Sequence, residues 1–525
     1  MVYYKDYKEQ DWILPPRIED IIPKDHICFF VDDIMEQMDF DVLDEKYQGP
    51  GHPAYPPKIM VKLLIMGTID GLRSSRKIGN CVRENVIYIF LAGKLTPNFR
   101  TISDFRKNNP EVIEYSFREV VRFALRMNMV KLGHISIDGT KIKANASKEK
   151  TLKKDELLYL EKLIRKEIRE GIIEDEIEDE LYGKDNDGHE LPEHIKSKGG
   201  LRKALKELID KEKVKSSKKH QMMNIIDDYI TGDNRKKNMI LDKIENARKE
   251  SNKPNTKKIN LTDPESRLMH NKKHFIEQSY NTQITVDSEH GIIIGNNVVQ
   301  HETDYKELIP QIEKTEETIG FKLSEGTEIS ADNGYFSGAN IGYLNKRKFD
   351  GYIPDQDITS KIKGKKIVDK QFSKNSFDYD HKKDCFICPN GETIPFDYDY
   401  YDRYKGKIMR IYQGTNCTEC ALNPQCVKSK YGVKVLKSDE FEKDRRDMAK
   451  KLKSEEGKHK YNIRMMTAEY PFGNIKQNMG LREFLMRGVK KVKTEFNLAC
   501  IAHNLKRIKN IMVNKKMKLH NIPFG

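Results

Sequence analysis

The sequence has little of what membrane-spanning or disulfide-stabilised proteins require. Its 525 residues include one Trp and eight Cys, and its mean hydropathy is −0.74. The longest apolar runs, such as residues 87–93, are far shorter than the ~20 residues of a membrane-spanning helix. The first residues lack the apolar stretch of a signal peptide, and eight Cys are too few for a disulfide scaffold in a chain this long. We therefore expect a protein of the reducing cytosol, with no membrane partner.

Motifs of nucleotide-dependent enzymes are also absent. The sequence contains no phosphate-binding loop of the P-loop type, no Gly-rich dinucleotide pattern and no nucleophile elbow. An ATP-driven reaction therefore has no support in the sequence.

The charge of the chain is unevenly distributed. The formal net charge is +14, and residues 428–525 hold 25 Lys and Arg against 10 Asp and Glu. Residues 148–258 are richer in charge but nearly balanced, with 28 basic and 25 acidic residues. A local basic field is typical of proteins that bind a polyanion, most often nucleic acid. A solvated Lys-rich surface would have the same composition, so charge alone leaves both interpretations open.

Changes in residue pattern and composition divide the chain into segments. Apolar spacing typical of helices at 57–67, 74–85 and 111–129 predicts a helical N-terminal domain. A buried strand begins at residue 134, and a charged segment with Leu157, Leu160, Ile164 and Ile168 at helical spacing interrupts the core that follows. Strand patterns then alternate with helices, which predicts a mixed α/β fold. The predicted units are residues 1–130, 131–147, 148–258, 259–358, a Cys-rich insertion at 359–437, and 438–525 with the basic C-terminal helices.

Three acidic residues stand at positions suited to a metal site. Asp138 and Asp332 each follow a hydrophobic strand segment, and Glu469 lies in a helical stretch. An Asp beside a buried strand is costly to bury alone, so it should reach solvent or a cation. Carboxylate oxygens are the ligands that Mg²⁺ prefers, and two such ions can promote phosphodiester cleavage. Singly, each of these acids is commonplace, and the residues around them decide the interpretation.

The surrounding segments carry a family resemblance. The stretches HISIDGTKIKANAS, ISADNGYFS and YNIRMMTAEYPFGNIK resemble the catalytic segments of bacterial insertion-sequence DDE transposases. The third resembles their YREK signature, with Tyr461, Arg464, Glu469 and Lys476 as its members. The gap between Glu469 and Lys476 matches the signature, whereas the gap between Arg464 and Glu469 is one residue longer. The segment HPAYPPKIMVKLLIMGTIDGLRSSRKI is similar to the InsH-type N-terminal domain of the same enzymes.

The resemblance implies an activity and its partners. It implies an RNase H-like core in which Asp138, Asp332 and Glu469 hold two Mg²⁺ or Mn²⁺ ions. The reaction would cut DNA at the element's ends and join the freed 3′-hydroxyl to target DNA. Tyr461, Arg464 and Lys476 would serve DNA binding, and the basic segment adds Arg487, Lys490 and Lys491. The implied partners are double-stranded terminal inverted repeats, target DNA and a second copy of the chain, in the bacterial cytoplasm at the nucleoid.

Two other functions compete with this one. One is a DNA-binding relative without catalysis, and the other is an RNase H-like nuclease acting on RNA hybrids. The presence of all three acids and of Lys476 speaks against an inactive relative.

The Cys-rich insertion predicts structural zinc. Cys385 and Cys388 form one CxxC pair, Cys417 and Cys420 form another after 28 residues, and Cys426 follows. Two such pairs fit a zinc ribbon in which four of the five are ligands, although this spacing exceeds the usual 15–20 residues. Cys426 could replace Cys420. Zinc would stabilise a loop-rich insertion too small to bury a core of its own. The other cysteines and His503 are predicted to be packed core residues.

Overall fold

The structure, a computed structural model, is mixed α/β, as the sequence predicted. It describes residues 17–40, 55–162, 164, 216–254, 256–271, 275–362, 372–403, 407–427 and 432–517. Ile168 and the middle of the predicted charged insertion lie outside the described residues. Within them, no helix is long and apolar enough to cross a membrane.

Helices dominate both ends of the chain. Those before the first strand are α1 (Ile27–Glu36), α2 (Pro57–Ile69), α3 (Ser75–Glu84), α4 (Val86–Leu91), α5 (Phe99–Asn108) and α6 (Pro110–Arg126). Those in the middle are α7 (Ser216–Thr231), α8 (Asn234–Ser251), α9 (Leu308–Ile319), α10 (Gly338–Lys346), α11 (Gln356–Ile362) and α12 (Asn423–Cys426). The last are α13 (Glu442–Lys453), α14 (Glu455–Gly473), which continues as a π-helical turn (Asn474–Asn478), and α15 (Val489–Asn514).

A six-stranded sheet forms the centre. Its strands are β1 (His134–Lys143), β4 (Arg267–His270), β5 (Ile276–Asp287), β6 (Ile293–Val299), β7 (Glu328–Ala331) and β8 (Asp350–Tyr352). The strand order is β4-β5-β1-β7-β8, and β6 also pairs with β5. β5 is antiparallel to β1 and β6, whereas β1, β7 and β8 are parallel. Two short strands of the charged insertion, β2 (Thr151–Lys153) and β3 (Lys258–Asn260), pair with each other.

One continuous apolar core joins the N-terminal helices, the sheet and the last helix. α15 packs against α6, α2 and β6, and its face with Phe496, Ile501 and Leu505 is fully buried. The predicted burial of His503, Cys28 and Cys500 is confirmed, whereas Cys81 is half-buried. The sheet thus rests on helices from both ends of the chain.

The two insertions each bury a smaller core. In the charged insertion, Leu157, Leu160 and Ile164 pack with apolar residues of α7 and α8. In the Cys-rich region, a second sheet has the order β13-β12-β11-β10-β9. Its strands are β9 (Asp378–Asp380), β10 (Cys385–Ile387), β11 (Thr393–Asp402), β12 (Lys407–Gln413) and β13 (Val435–Ser438). Phe377, Phe386, Ile394, Tyr412 and Leu436 fill its core. The expectation that this insertion buries no core is therefore wrong: alternate aromatic and aliphatic residues on the strands suffice to cover one face.

Candidate active site

Asp138 and Asp332 lie side by side because of the strand register. β1 and β7 are parallel neighbours whose last paired residues are Ile137 and Ala331. The next residue in each chain segment is the Asp, so the two aspartates lie side by side at the point where β7 ends, while β1 continues to Lys143. Asp138 is 8% exposed, and its Oδ1 accepts the N–H of Gly139 at 2.9 Å. Asp332 caps a short 3-10 turn, and its Oδ1 accepts the N–H of Gly334 at 2.8 Å.

A buried guanidinium joins these two carboxylates. Arg464 on α14 is 6% exposed, and its Nη2 lies 3.1 Å from Asp138 Oδ1 and 3.9 Å from Asp332 Oδ2. Burial by itself would lower the pKa of Arg464, but the nearby negative charges, that of Asp138 first, outweigh it and hold this pKa above its ordinary value. The predicted contact of Arg464 with DNA phosphate stays a prediction. In this structure the guanidinium faces the carboxylates.

Glu469 lies on the same helix but on another face. Tyr461, Arg464 and Ala468 form the buried face of α14, at the spacing of successive helical turns. Glu469 follows Ala468 by one residue, which rotates its side chain off that face, and it is exposed. Its charge still reaches the site. Burial raises the pKa of the Tyr461 hydroxyl, and the charges of Asp332, Asp138 and Glu469 raise it further against the opposing effect of Arg464.

The described residues contain no three His, Cys, Asp or Glu side chains close enough to hold a metal ion. The predicted trio is therefore brought together in part: two carboxylates converge on one cationic group, and the third side chain lies on the adjoining helix. The chemistry of the converging pair fits a hard cation, since carboxylate oxygens are the ligands that Mg²⁺ prefers.

Lys476 is anchored to the strand that carries Asp138. Its Nζ donates to Thr140 Oγ1 at 2.5 Å and to the carbonyl oxygen of Lys141 at 3.1 Å. The π-helical turn after α14 positions this lysine over β1. Lys476 therefore contacts β1 two and three residues beyond Asp138.

The predicted basic segment lies at the start of α15. Lys490 and Lys491 are exposed in its first turn. Arg487 is also exposed, and its Nε donates to the carbonyl oxygen of Asn145 at 3.0 Å. Asn145 follows β1 closely, so these basic side chains continue from the acidic site along the strand end.

Two family models match the chain. The transposase DDE domain model matches residues 387–509, and the transposase domain (DUF772) model matches residues 16–108. Both models describe transposase domains, which supports an insertion-sequence DDE transposase. No curated protein and no solved structure matches it. The two matched regions of the transposase include α14 with Glu469 and the N-terminal helices, whereas Asp138 and Asp332 lie between them.

Sequence reasoning missed one acid of the transposase. Asp304 lies in the loop after β6, where its Oδ1 accepts hydrogen bonds from Asn281 Nδ2 at 2.7 Å and Gln283 Nε2 at 2.6 Å. Burial raises the pKa of Asp304; the two amides lower it, and the charge of Asp332 raises it again. No motif marks this position. The signal was that two amide residues, Asn281 and Gln283, lie in a strand that is buried from Gln278 onward.

Four of the five insertion cysteines of the transposase line one cavity. Cys388, Cys417, Cys420 and Cys426 are its thiols. Burial raises the pKa of Cys426, and the charges of the other three thiols raise it further against the effect of Lys434. Cys385 is buried in β10 and does not line this cavity. The structure thus groups one cysteine of the first CxxC pair with all three that follow.

Proposed function

We propose that this transposase cuts DNA at the ends of its insertion sequence and joins the freed 3′-hydroxyl to target DNA. In this proposal Asp138, Asp332 and Glu469 hold two Mg²⁺ or Mn²⁺ ions. The observation that carries it is the convergence of Asp138 and Asp332 on the guanidinium of Arg464, within 3.1 and 3.9 Å. A position between two carboxylates that already holds a buried positive charge is suited to a cation. When bound, such ions supply an activated water and stabilise the leaving oxygen at phosphorus.

The proposal includes an RNase H-like core. Its support is the strand order, in which the antiparallel strands β6, β5 and β1 are followed by the parallel strands β7 and β8. The Cys-rich sheet then lies in the chain between Asp332 and Glu469.

The remaining residues have proposed roles in binding DNA. Lys476, Arg464 and Tyr461 would contact the strand to be cut, and Arg487, Lys490 and Lys491 would extend this surface. Residues 1–130 would recognise the element's ends. Joining two ends requires both to be held at once, so the working form would be a homodimer at the bacterial nucleoid.

The catalytic proposal is tested with near-isosteric variants. Asp138→Asn, Asp332→Asn and Glu469→Gln should each slow cleavage of DNA carrying the sequences that flank the gene. We expect a loss of more than about 100-fold, which is the largest cost for a residue that merely supports a metal ligand. Binding to the same DNA should persist, because the folded protein and its basic segment remain. Cleavage is measured on labelled DNA with Mg²⁺, and binding by mobility shift.

The exposed Glu456 on α14 gives a matched control. Glu456→Gln removes one carboxylate from the same helix and should cleave like the wild type. An acid whose amide variant still cleaves is not part of the site. Binding of the wild type without cleavage would favour an inactive DNA-binding relative, and cleavage of RNA hybrids without element ends would favour an RNase H-like nuclease.

We further propose a structural zinc ion bound by Cys388, Cys417, Cys420 and Cys426. Its support is that these thiols line one cavity and that the other three raise the pKa of Cys426. Among the described residues no three of these thiols are close enough to hold an ion, so binding would require them to move closer together. Four thiolates are a common ligand set for structural zinc. Metal analysis of protein purified without chelator should give about one zinc ion per chain.

The cysteine variants are chosen to separate ligands from neighbours. Cys388→Ser combined with Cys417→Ser should abolish the bound zinc, whereas Cys385→Ser should retain it. Loss of zinc in Cys385→Ser, or wild-type protein without zinc, would contradict this assignment.

A further inference from the structure

We infer that Asp304 is a positioning residue of the active site, which orients Gln283 and thereby holds the strand of Asp138 against the turn of Asp332. This inference rests on the proposed metal site. It concerns a fourth carboxylate, on a loop that neither the signature motifs nor the family matches include.

The carboxylate of Asp304 fixes which way the amide of Gln283 points. A carboxylate only accepts hydrogen bonds, so the Nε2 of Gln283 must face it, at 2.6 Å from Asp304 Oδ1. The carbonyl Oε1 of Gln283 then points the other way, where it accepts the hydroxyl of Tyr335. Asn281 supports the same orientation, because its Nδ2 donates to Asp304 and its Oδ1 accepts from Gln283 Nε2 at 3.1 Å.

This chain of hydrogen bonds joins the two elements that carry the catalytic aspartates. Gln283 on β5 lies directly opposite Gly139, the residue after Asp138. Tyr335 is fully buried in the 3-10 turn that Asp332 caps. Asp304 therefore acts on both aspartates through Gln283 and Tyr335.

The backbone segments around this hydrogen-bond network are closely packed. A Cβ added at Gly139 would lie 2.5 Å from Gln283 Nε2 and 2.8 Å from Asp304 Oδ1. A Cβ added at Gly334 would lie 2.9 Å from Asp332 Oδ1 and 3.3 Å from Asp304 Oδ2. An added Cβ would therefore collide with Gln283 and Asp304 at Gly139, whereas at Gly334 it would collide with Asp332 and make a tight contact with Asp304.

The free-energy cost of partly burying the Asp304 carboxylate also indicates a functional role. In the described part of the chain no Lys, Arg or His forms a salt bridge with Asp304, and its negative charge adds to that of Asp332. Partly burying a carboxylate is costly, and here two amide donors and the positive charge of Lys141 offset that cost only in part, because the pKa of Asp304 stays raised. A role in holding Gln283 explains this cost better than a contribution to stability does.

The inference is tested by Mn²⁺ binding without DNA, followed by electron paramagnetic resonance. Asp304→Ala should weaken binding at least about ten-fold, which is the cost of removing a residue that orients a metal ligand. Asp304→Asn can still accept both amides through its Oδ1 and should stay within about three-fold of the wild type. Tyr335→Phe leaves Asp304 intact but breaks the far end of the network, and it should weaken binding by an intermediate factor.

Controls separate this inference from the metal proposal itself. Glu302→Gln changes an exposed acid of the same loop and should bind Mn²⁺ like the wild type. Thermal unfolding of each variant identifies any that fail to fold, and Tyr335→Phe then remains as the informative variant. If Asp138→Asn binds as tightly as the wild type, the proposed metal site is wrong. If Asp138→Asn loses Mn²⁺ but Asp304→Ala does not, the role of Asp304 is refuted. If Asp304→Asn is as poor as Asp304→Ala, the charge acts directly and orientation is not its function.

Discussion

At the scale of single residues, His503 shows how one buried side chain joins three elements. It lies on α15, and its Nε2 is 3.0 Å from the carbonyl oxygen of Gly291. Its Nδ1 is 3.1 Å from Asn474 Nδ2 in the π-helical turn after Glu469. These partners require a neutral ring with the proton on Nε2, because a second ring proton would face the donor group of Asn474.

The neutral state of His503 predicts a pH-dependent stability. Burial lowers the pKa of His503 from its ordinary value of 6.5 to about 4. The unfolded chain therefore takes up this proton first, and the stabilisation present above pH 6.5 is lost as the pH falls towards 4. Compared with His503→Gln, the wild type should lose about 2 kcal/mol more unfolding free energy between pH 7 and pH 5. Urea unfolding at several pH values measures this difference.

The exposed His459 on α14 provides the control for that measurement. Its replacement by Gln should leave the pH dependence of the wild type unchanged, because its side chain is exposed to solvent. An equal pH profile in wild type and His503→Gln would show that the buried ring accepts a proton without cost.

Single residues also show which features of the candidate site could be predicted from the sequence. Asp138 and Asp332 could be predicted, because each continues a hydrophobic strand segment and a motif surrounds it. Their contact with Arg464 could not, since it depends on which face of α14 turns to the sheet. Asp304 was missed for the same reason: its partners on β5 are recognisable as a set only when the register with β1 is known.

At the scale of elements, local signals predicted most helices and strands of the sheet. α10, for example, begins where the side chain of Ser337 accepts the N–H of Asn340, which is a local capping signal. The start of α15 carries no apolar periodic signal, because Lys490 and Lys491 lie in its first turn. β11 was not predicted. Most of its side chains are exposed, so strand pairing with β12 rather than burial holds it.

At the scale of the whole molecule, packing joins parts that the sequence separates. The N-terminal helices and the sheet share one core through α15, so the composition change near residue 130 is not a change of core. The two insertions behave differently, since each has its own buried cluster. Changes in residue composition therefore identify the insertions better than they identify the elements against which the last helix packs.

The uneven charge leads to a prediction about the whole molecule. Three exposed basic residues lie near the acidic site, namely Arg487, Lys490 and Lys491. The charged insertion, in contrast, holds nearly equal numbers of basic and acidic residues. Replacing all three by Gln should flatten the plot of log affinity for DNA against log salt concentration. Each phosphate contact contributes a slope of about 0.9, so the loss should reach about 2.7. Titrations between low and moderate salt measure it.

A matched triple variant decides whether position or total charge is responsible. Arg235, Lys236 and Lys243 are exposed on α8, and their replacement by Gln removes the same three charges. A contact surface on α15 predicts a normal salt slope for this control, because long-range fields from distant exposed charges are screened beyond about 10 Å. Equal flattening in both triples would instead assign the salt dependence to net charge. An unchanged slope in the Arg487, Lys490 and Lys491 triple would mean that the basic excess serves solubility and that DNA approaches the carboxylates from another side.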